Sequence, residues 1–205
     1  IRADPVIPVL ALDDPAEGAG FLCTRLGFSA DPADPQLLRF GTQALRLVHA
    51  GQPVQGLIDL PFDHLALRVP DPDAAQSRAM ALGARMHPAF TPDGPREIAE
   101  FGPVGVRFVF FQGPEGWPFE FVAPRNAPPG LPGHDHFGLR SLPLAPAESH
   151  LAEMGATLQS RHSLHGPDAA VSVTFLQLGA AVFELFDEPA SQPPVQGKGW
   201  VGFLR

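Results

Sequence analysis

The stretch Asp63-His64-Leu65-Ala66-Leu67-Arg68 decides the fold, because it returns later in the chain as Asp135-His136-Phe137-Gly138-Leu139-Arg140. A third segment near the start, Ile7-Pro8-Val9-Leu10-Ala11-Leu12, has the same strand-like, apolar character. Each of the three is followed by a helical pattern and then by further strand-like runs. Three such openings predict three copies of one βαβββ unit.

The spacing within the copies supports the repeat. A glycine follows each helical pattern, and the separation is 19 residues each time, from Pro8 to Gly27, from His64 to Gly83 and from His136 to Gly155. Glycine supplies the left-handed residue that closes a helix, which gives the equal spacing a structural cause. The predicted helices are Pro15–Leu26, Asp71–Leu82 and Ala145–Met154, with Asp14 and Asp71 as N-caps.

The repeat predicts an α+β chain of three modules. The first module covers residues 1–50, the second 60–123 and the third 134–189, and a tail covers 190–205. Units of this size bury too little surface to be stable alone, so modules are expected to pair. Because the second and third are joined by a short Pro/Gly-rich linker, we expect these two to pair within the chain.

Composition excludes several classes of function. The formal net charge is −8 and Lys198 is the only lysine, which does not fit a nucleic-acid-binding surface. No apolar run approaches the roughly 18 residues of a membrane span. Cys23 is the only cysteine, so no intrachain disulfide can form. Together with a start that lacks a signal-peptide pattern, this predicts a soluble cytoplasmic protein.

Three runs resemble one known family. They are PVLALDDPAEGAGFLCTRLGF (8–28), FDHLALRVPDPDAAQSRAMALGA (62–84) and GPEGWPFEFV (113–122). They are similar to the vicinal oxygen chelate superfamily, which includes glyoxalase I, methylmalonyl-CoA epimerase, extradiol dioxygenases and bleomycin-resistance proteins. The resemblance extends to about Pro189. It implies that paired modules curl into a cup-shaped mixed sheet with the helices outside.

The resemblance also implies metal ligands on the first and last strand of each module. These positions hold His64 and Glu120 in the second module, His136 and Glu184 in the third, and Pro8 and Arg46 in the first. The first module has therefore lost both ligands. Strand alternation agrees independently, since Phe119 and Phe121 flank Glu120 and point to the opposite face. In the strands of His64, His136 and Glu184, the apolar residues likewise lie on the face opposite the candidate ligand.

The chemistry of this set favours a cation. Two carboxylates about 4 Å apart repel by roughly 4 kcal/mol at an effective dielectric near 20, and one divalent ion offsets that repulsion. Imidazole with carboxylate suits zinc, nickel, manganese, cobalt or iron. One alternative is that Arg68 and Arg140, on the same strand faces, form salt bridges with Glu120 and Glu184 and no metal binds. The arginines are otherwise candidates for binding a carboxylate or phosphate of the substrate.

The remaining candidates carry weaker signals. His134 is interpreted either as a residue that contacts the ligands without binding the metal or as a residue with no role in the site. His162 and His165 are interpreted as solvated. The loop Thr91–Phe101, with Glu97 and Glu100, is the longest insertion relative to the third module and is expected to line the mouth of the cup. Cys23 is expected in the core, and His49, His87 and His150 have no predicted role.

The resulting hypothesis is a metal-dependent enzyme of the glyoxalase type, an isomerase, epimerase or lyase that acts on a small-molecule substrate. The substrate would bind through two neighbouring oxygens, with the metal stabilising an enediolate and Glu120 or Glu184 moving the proton. One alternative is an extradiol-type dioxygenase, with two histidines and one carboxylate on iron. Another is a non-catalytic drug- or metabolite-binding protein of the bleomycin-resistance type.

An odd number of modules raises a packing problem. If the second and third modules pair, the first is left with an apolar sheet face and an exposed edge. A symmetric contact between two first modules would cover both, which predicts a homodimer. The apolar segment Trp200–Leu204 in the tail is expected to pack either on the body of the chain or on a partner.

Overall fold

The computed structural model describes residues 6–60, 62–126, 128, 130–141, 143–165, 170–187 and 198–205. The first five residues of the predicted first module, the last two of the predicted third module (188–189) and the first eight of the tail (190–197) lie outside these ranges. The described helices are α1 (Pro15–Arg25), α2 (Pro72–Ala81) and α3 (Ala145–Glu153). The strands are β1 (Ile7–Leu12), β2 (Ser29–Asp31), β3 (Asp34–Phe40), β4 (Gln43–His49), β5 (Phe62–Arg68), β6 (Arg85–Met86), β7 (Arg96–Ile98), β8 (Val106–Gln112), β9 (Pro118–Pro124), β10 (Gly133–Arg140), β11 (Thr157–His165), β12 (Ala170–Leu178), β13 (Ala181–Phe186) and β14 (Gly199–Leu204).

The helices begin and end where the sequence places them, to within two residues. The Asp14 carboxylate accepts a hydrogen bond from the Glu17 N–H, and Asp71 accepts from two backbone N–H groups of the first turn of α2. The glycines after the three helices have φ of +79° at Gly27, +84° at Gly83 and +95° at Gly155. Their equal spacing therefore has the predicted cause, a left-handed residue that ends each helix.

The second and third modules form one mixed sheet in the order β11-β12-β13-β10-β5-β9-β8-β6, and β7 pairs with β8. The two modules meet where β5 and β10 run antiparallel, with His64 opposite Gly138 and His136 opposite Ala66. The last strand of each module lies parallel to its first, β9 beside β5 and β13 beside β10. The expected pairing of these modules is thus observed, and the four strands that carry the candidate ligands are adjacent.

The first module forms a separate five-stranded sheet, in the order β14-β1-β4-β3-β2. β14 runs antiparallel to β1, with Phe203 opposite Pro8. It occupies the position that β10 occupies beside β5. The outer edge of β14 is in turn bonded to the linker, because the N–H and C=O groups of Ile58 both pair with Phe203 at 3.0 Å or less. The tail segment therefore packs on its own chain and covers the edge of β1.

The apolar face of the first module is buried within the chain. Leu10 and Leu45 belong to the same hydrophobic cluster as Leu65 and other residues of the large sheet. The rings of Phe62 in β5 and Phe203 in β14 pack edge to face, with centroids 6.1 Å apart. Within the described residues, the apolar face of the first module and the edge of β1 are both covered. The sequence had led us to expect an exposed face and an exposed edge. The homodimer stays a prediction, without the packing argument that suggested it.

The structure also corrects the register assumed for the first module. Val9 pairs with Arg46 as Ala66 pairs with Glu120, so Ile7, and not Pro8, corresponds to His64. The shift arises because α1 has 11 residues and α2 has 10. Since the isoleucine side chain cannot bind a metal, the first module still lacks the His–Glu pair. Among the described residues, no helix is long and apolar enough to span a bilayer.

Candidate metal centre

The four candidate ligands converge at the middle of the large sheet. The Nε2 atoms of His64 and His136 lie 3.3 Å apart. Glu120 Oε2 lies 3.3 Å from the first of these nitrogens and 3.2 Å from the second. Glu184 Oε2 lies 3.6 Å and 3.2 Å from them. All four residues are buried, with at most 8% of their surface exposed.

These distances fit the donors of one metal ion. Nitrogen and oxygen ligands bind zinc at about 2.0–2.2 Å, so adjacent ligands of a tetrahedral site are about 3.3–3.6 Å apart. The separation of the two nitrogens and the four nitrogen–carboxylate separations, between 3.2 and 3.6 Å, match five such edges. His64, His136 and Glu184 offer ligand atoms that all lie within 4.8 Å of one another. This buried group could hold a metal ion.

A symmetric network behind the histidines fixes their rings. Asp63 Oδ1 lies 3.0 Å from His64 Nδ1, and Asp135 Oδ1 lies 2.9 Å from His136 Nδ1. Because a carboxylate only accepts hydrogen bonds, each Nδ1 carries the proton and each Nε2 turns toward the centre. The second oxygen of each aspartate accepts from an arginine of the other module, at 3.0 Å in both cases. These pairs are Arg68 with Asp135 and Arg140 with Asp63.

The same network sets the protonation of the site. Burial by itself lowers the pKa of His64, but hydrogen bonds to Asp63 and Glu120 outweigh it and raise the pKa to about 9. The pKa of His136 is raised well above its usual value, again against the effect of burial, by Glu184 and Glu120. Burial alone would raise the pKa of Glu120, but the two imidazoles lower it by more, so that the pKa lies below its usual value. The centre therefore strongly attracts positive charge, as expected where imidazole and carboxylate bind a cation.

Gly138 lets the two modules approach closely enough to form the centre. A Cβ atom at this position would lie 2.1–2.4 Å from three atoms of the His64 ring. No side chain fits there unless His64 moves. The residue across the strand pair from a candidate ligand is therefore restricted to glycine by direct contact with the imidazole.

The network bears on one of the alternatives left open by the sequence. Arg68 pairs with Asp135 and Arg140 with Asp63, in place of the alternative salt bridges to Glu120 and Glu184. The aspartates precede the histidines in both copies and supply the negative charge that the arginines need. Arg140 also lies over the Phe186 ring at 4.9 Å and is largely buried, whereas the Arg68 side chain is 42% exposed.

A cavity of about 420 Å³ opens onto the centre. Glu120, His136 and Glu184 line it, together with Arg68 and Asp135. The insertion that follows the second helix contributes to the wall, as expected, through Ile98 and Phe101. Glu97 points elsewhere and forms ion pairs with Arg107 and Arg125.

Comparisons with known proteins agree with this architecture. No protein-family model matches the sequence, and no curated protein matches it. Among solved structures, glyoxalase I from Zea mays superposes with a TM-score of 0.67 at 17% identity, over 96% of this chain and 72% of that one. A mutant of 4-hydroxymandelate synthase from Streptomyces coelicolor gives 0.55 at 12% identity, over 95% and 73%. Both are members of the vicinal oxygen chelate superfamily. This chain has the vicinal oxygen chelate fold.

In this vicinal oxygen chelate fold, two histidines outside the candidate ligand set, His162 and His134, have different surroundings. His162 was interpreted as solvated, but it lies in β11, lines the cavity and packs against Phe101, with ring centroids 5.2 Å apart. The sequence carries no local signal for this, because Phe101 comes from another module. His134 accepts a hydrogen bond from the Val182 N–H and donates to Gln43, so it joins the two sheets behind the centre.

Proposed function

We propose that this protein is a metal-dependent enzyme of the glyoxalase type that moves a proton on a small substrate bound through two neighbouring oxygens. One observation carries the proposal: a carboxylate oxygen of Glu120 and one of Glu184 each lie 3.2–3.6 Å from both imidazole nitrogens, which are 3.3 Å apart, in a buried cluster beside a cavity. His64, Glu120, His136 and Glu184 would hold the ion. The fold shared with glyoxalase I supports the proposal.

Each residue has a definite part in the chemistry. A divalent cation, when bound, supplies positive charge that favours the negative charge developing on the substrate oxygens as a neighbouring C–H bond breaks. Glu120 and Glu184 are the carboxylates at the cavity end, and one of them accepts that proton on an Oε atom and returns it. Asp63 and Asp135 keep the imidazoles oriented. Arg68 faces the cavity and is placed to bind a substrate anion.

A second candidate function rests on a smaller ligand set. His64, His136 and Glu184 by themselves make up two histidines and one carboxylate, the set that non-haem Fe(II) oxygenases use. In that case Glu120 is not needed for binding iron. Glu120→Gln separates the two candidates, since it should weaken metal binding strongly under the four-ligand proposal and leave iron bound under the three-ligand one.

The test of the proposal is metal content. Protein stripped with a chelator is loaded separately with nickel, zinc, manganese, cobalt or iron and measured by elemental analysis after desalting. We expect one ion per chain for the wild type and none for the double variant Glu120→Gln/Glu184→Gln. Glu100→Gln, at an exposed position, is the matched control and should keep the ion. If the wild type retains none of the five metals, the proposal is wrong.

A further inference from the structure

The polar residues that line the cavity are those of the metal centre with Arg68 and Asp135, together with His162, Gln159, Ser160 and Gln177. Beyond the ligands and Arg68 its wall is largely apolar, formed by Ile98, Val106, Phe108 and Val122 among others. Such a wall offers few hydrogen bonds to the distal part of a substrate. It stabilises a ligand mainly by removing apolar surface from water.

One part of this wall is aromatic and consists of Phe101, His162 and Phe175, which we call the aryl wall. The Phe101 ring lies 5.1 Å from Phe175 and 5.2 Å from His162, and the third pair is 5.8 Å apart, measured between centroids. These tilted and edge-to-face contacts are the arrangement that aromatic rings prefer. The three rings come from the inserted loop of the second module and from β11 and β12 of the third.

The aryl wall begins directly beside the metal centre. The Phe175 ring lies 6.0 Å from that of His136, edge to face. A flat group attached close to the chelating oxygens would therefore reach Phe175 without a long spacer. The position of the wall favours a substrate in which the ring and the oxygens are separated by one or two bonds.

Charge excludes a different class of substrate. Among the described residues that line the cavity, Arg68 is the only lysine or arginine, and Asp135 already pairs with it at 3.0 Å. Several carboxylates or phosphates on one substrate would find no further cation there, and burying them unpaired is costly. A neutral or singly charged substrate fits this wall.

The volume is sufficient for such a molecule. Benzene fills an apolar cavity of about 150 Å³. The cavity here measures about 420 Å³, which leaves room for a phenyl ring and a chelating group of several atoms. A larger conjugate would extend through the mouth of the cavity into solvent.

We infer that the substrate carries an aryl group next to its two chelating oxygens, and that Phe101, His162 and Phe175 bind this group and set specificity. The inference rests on the proposed function for the chelating end only. The aryl wall is present whether or not the ion is bound.

Hydroxamic acids test the inference, because they chelate through two oxygens and differ only in the attached group. Acetohydroxamate and benzohydroxamate are titrated calorimetrically into the zinc-loaded protein. Benzohydroxamate should bind about ten-fold more tightly or better, since the wall buries its ring. Phe101→Ala and His162→Ala should each bring the two affinities to within about three-fold without weakening acetohydroxamate. Leu158→Ala, an exposed position on the same strand as His162, should leave the ratio unchanged.

A second measurement separates this inference from the metal proposal. Benzyl alcohol, which has no chelating pair, is examined by saturation-transfer NMR with chelator-treated protein. Transfer to its ring that disappears in Phe101→Ala and persists in Leu158→Ala supports the aryl wall even if no metal is ever retained. Equal affinity for the two hydroxamates in the zinc-loaded wild type overturns the inference and leaves the metal centre standing. A preference that survives both alanine substitutions also overturns it.

Discussion

The Nε2 atoms of His64 and His136 lie 3.3 Å apart, although 72 positions separate the two residues in the chain. Each histidine stands on the first strand of its own module, and the two strands pair antiparallel, so neither module has the site alone. The centre exists only where the modules meet. Anything that holds both imidazoles also holds the two modules together, which links metal binding to stability.

Metal should therefore stabilise the fold. A ligand that binds only the folded chain adds about 2.7 kcal/mol when its concentration is 100 times Kd. We expect zinc to raise the midpoint of thermal unfolding of the wild type by several degrees, measured by calorimetry at fixed protein concentration. His136→Ala should abolish this rise, while His49→Ala, outside the centre, should preserve it. An equal rise in both variants would mean that zinc binds elsewhere.

The aspartates behind the histidines should matter almost as much as the ligands. Asp63→Asn and Asp135→Asn keep the shape of the side chain but remove the charge that orients the imidazole and pairs with an arginine of the other module. Zinc affinity should fall by about 10–100-fold in each, measured by competition with a chromophoric chelator. Asp93→Asn changes the same charge at an exposed position and serves as the control. Wild-type affinity in both aspartate variants would show that the network does not support the ligands.

The sequence predicts the ligands because each is identifiable within its own strand. Alternation places Glu120 and Glu184 opposite their apolar neighbours, and the repeat places His64 and His136 in equivalent positions. The role of Asp63 and Asp135 also had a signal, since an aspartate precedes the histidine in both copies. It was missed because the arginines that complete the network come from the other module. Pairing across modules is not visible in a single strand.

Other features depend on contacts that the sequence does not show. β14 pairs with β1, at the opposite end of the chain, so sequence alone could not decide whether Trp200–Leu204 packs on its own chain or on a partner. His162 reaches the cavity only because the inserted loop of the second module crosses to the third. The register of the first module was wrong by one residue because α1 is one residue longer than α2, which a fixed spacing cannot detect.

Proton transfer can be tested without the natural substrate. α-Hydroxyacetophenone has two neighbouring oxygens, an aryl group and exchangeable protons on the hydroxyl-bearing carbon next to its carbonyl. In deuterated water the zinc-loaded protein should accelerate deuterium incorporation at that carbon, followed by NMR. With zinc added to saturation, Glu120→Gln or Glu184→Gln should lower the rate by about 100-fold or more, the usual contribution of a general base.

Two comparisons make this test specific. Hydroxyacetone lacks the ring and should exchange more slowly at equal concentration, while Glu100→Gln should behave as the wild type. If both glutamine variants bind zinc and still catalyse fast exchange, neither carboxylate is the base. Hydroxyacetone exchanging as fast as the aryl compound would count only against the aryl wall.

Gly138 packs directly against the His64 ring, so adding a side chain at this position should disturb the metal centre. Gly138→Ala would place a Cβ within 2.1–2.4 Å of the His64 ring, so the imidazole must leave its position. Zinc affinity should fall by more than ten-fold, because a small displacement removes a ligand from reach. Gly20→Ala in α1, where nothing lies within 4 Å of the added Cβ, should leave affinity unchanged and stabilise the helix by about 0.5–1 kcal/mol. Wild-type zinc affinity in Gly138→Ala would place His64 outside the ligand set.

The last prediction concerns β14, which covers the edge of β1 and packs a fully buried Phe203 against Phe62 and Phe183. Phe203→Ala should lower the free energy of unfolding by about 3–5 kcal/mol, the usual cost of removing a buried phenyl group. Val201→Ala, half-buried on the opposite face of the same strand, should cost much less. Urea denaturation gives both values. Light scattering should show in addition that Phe203→Ala associates more readily than the wild type, since loosening β14 uncovers a strand edge. If Phe203→Ala costs no more than Val201→Ala, then β14 does not dock on this sheet in solution, and the edge of β1 again needs a partner chain.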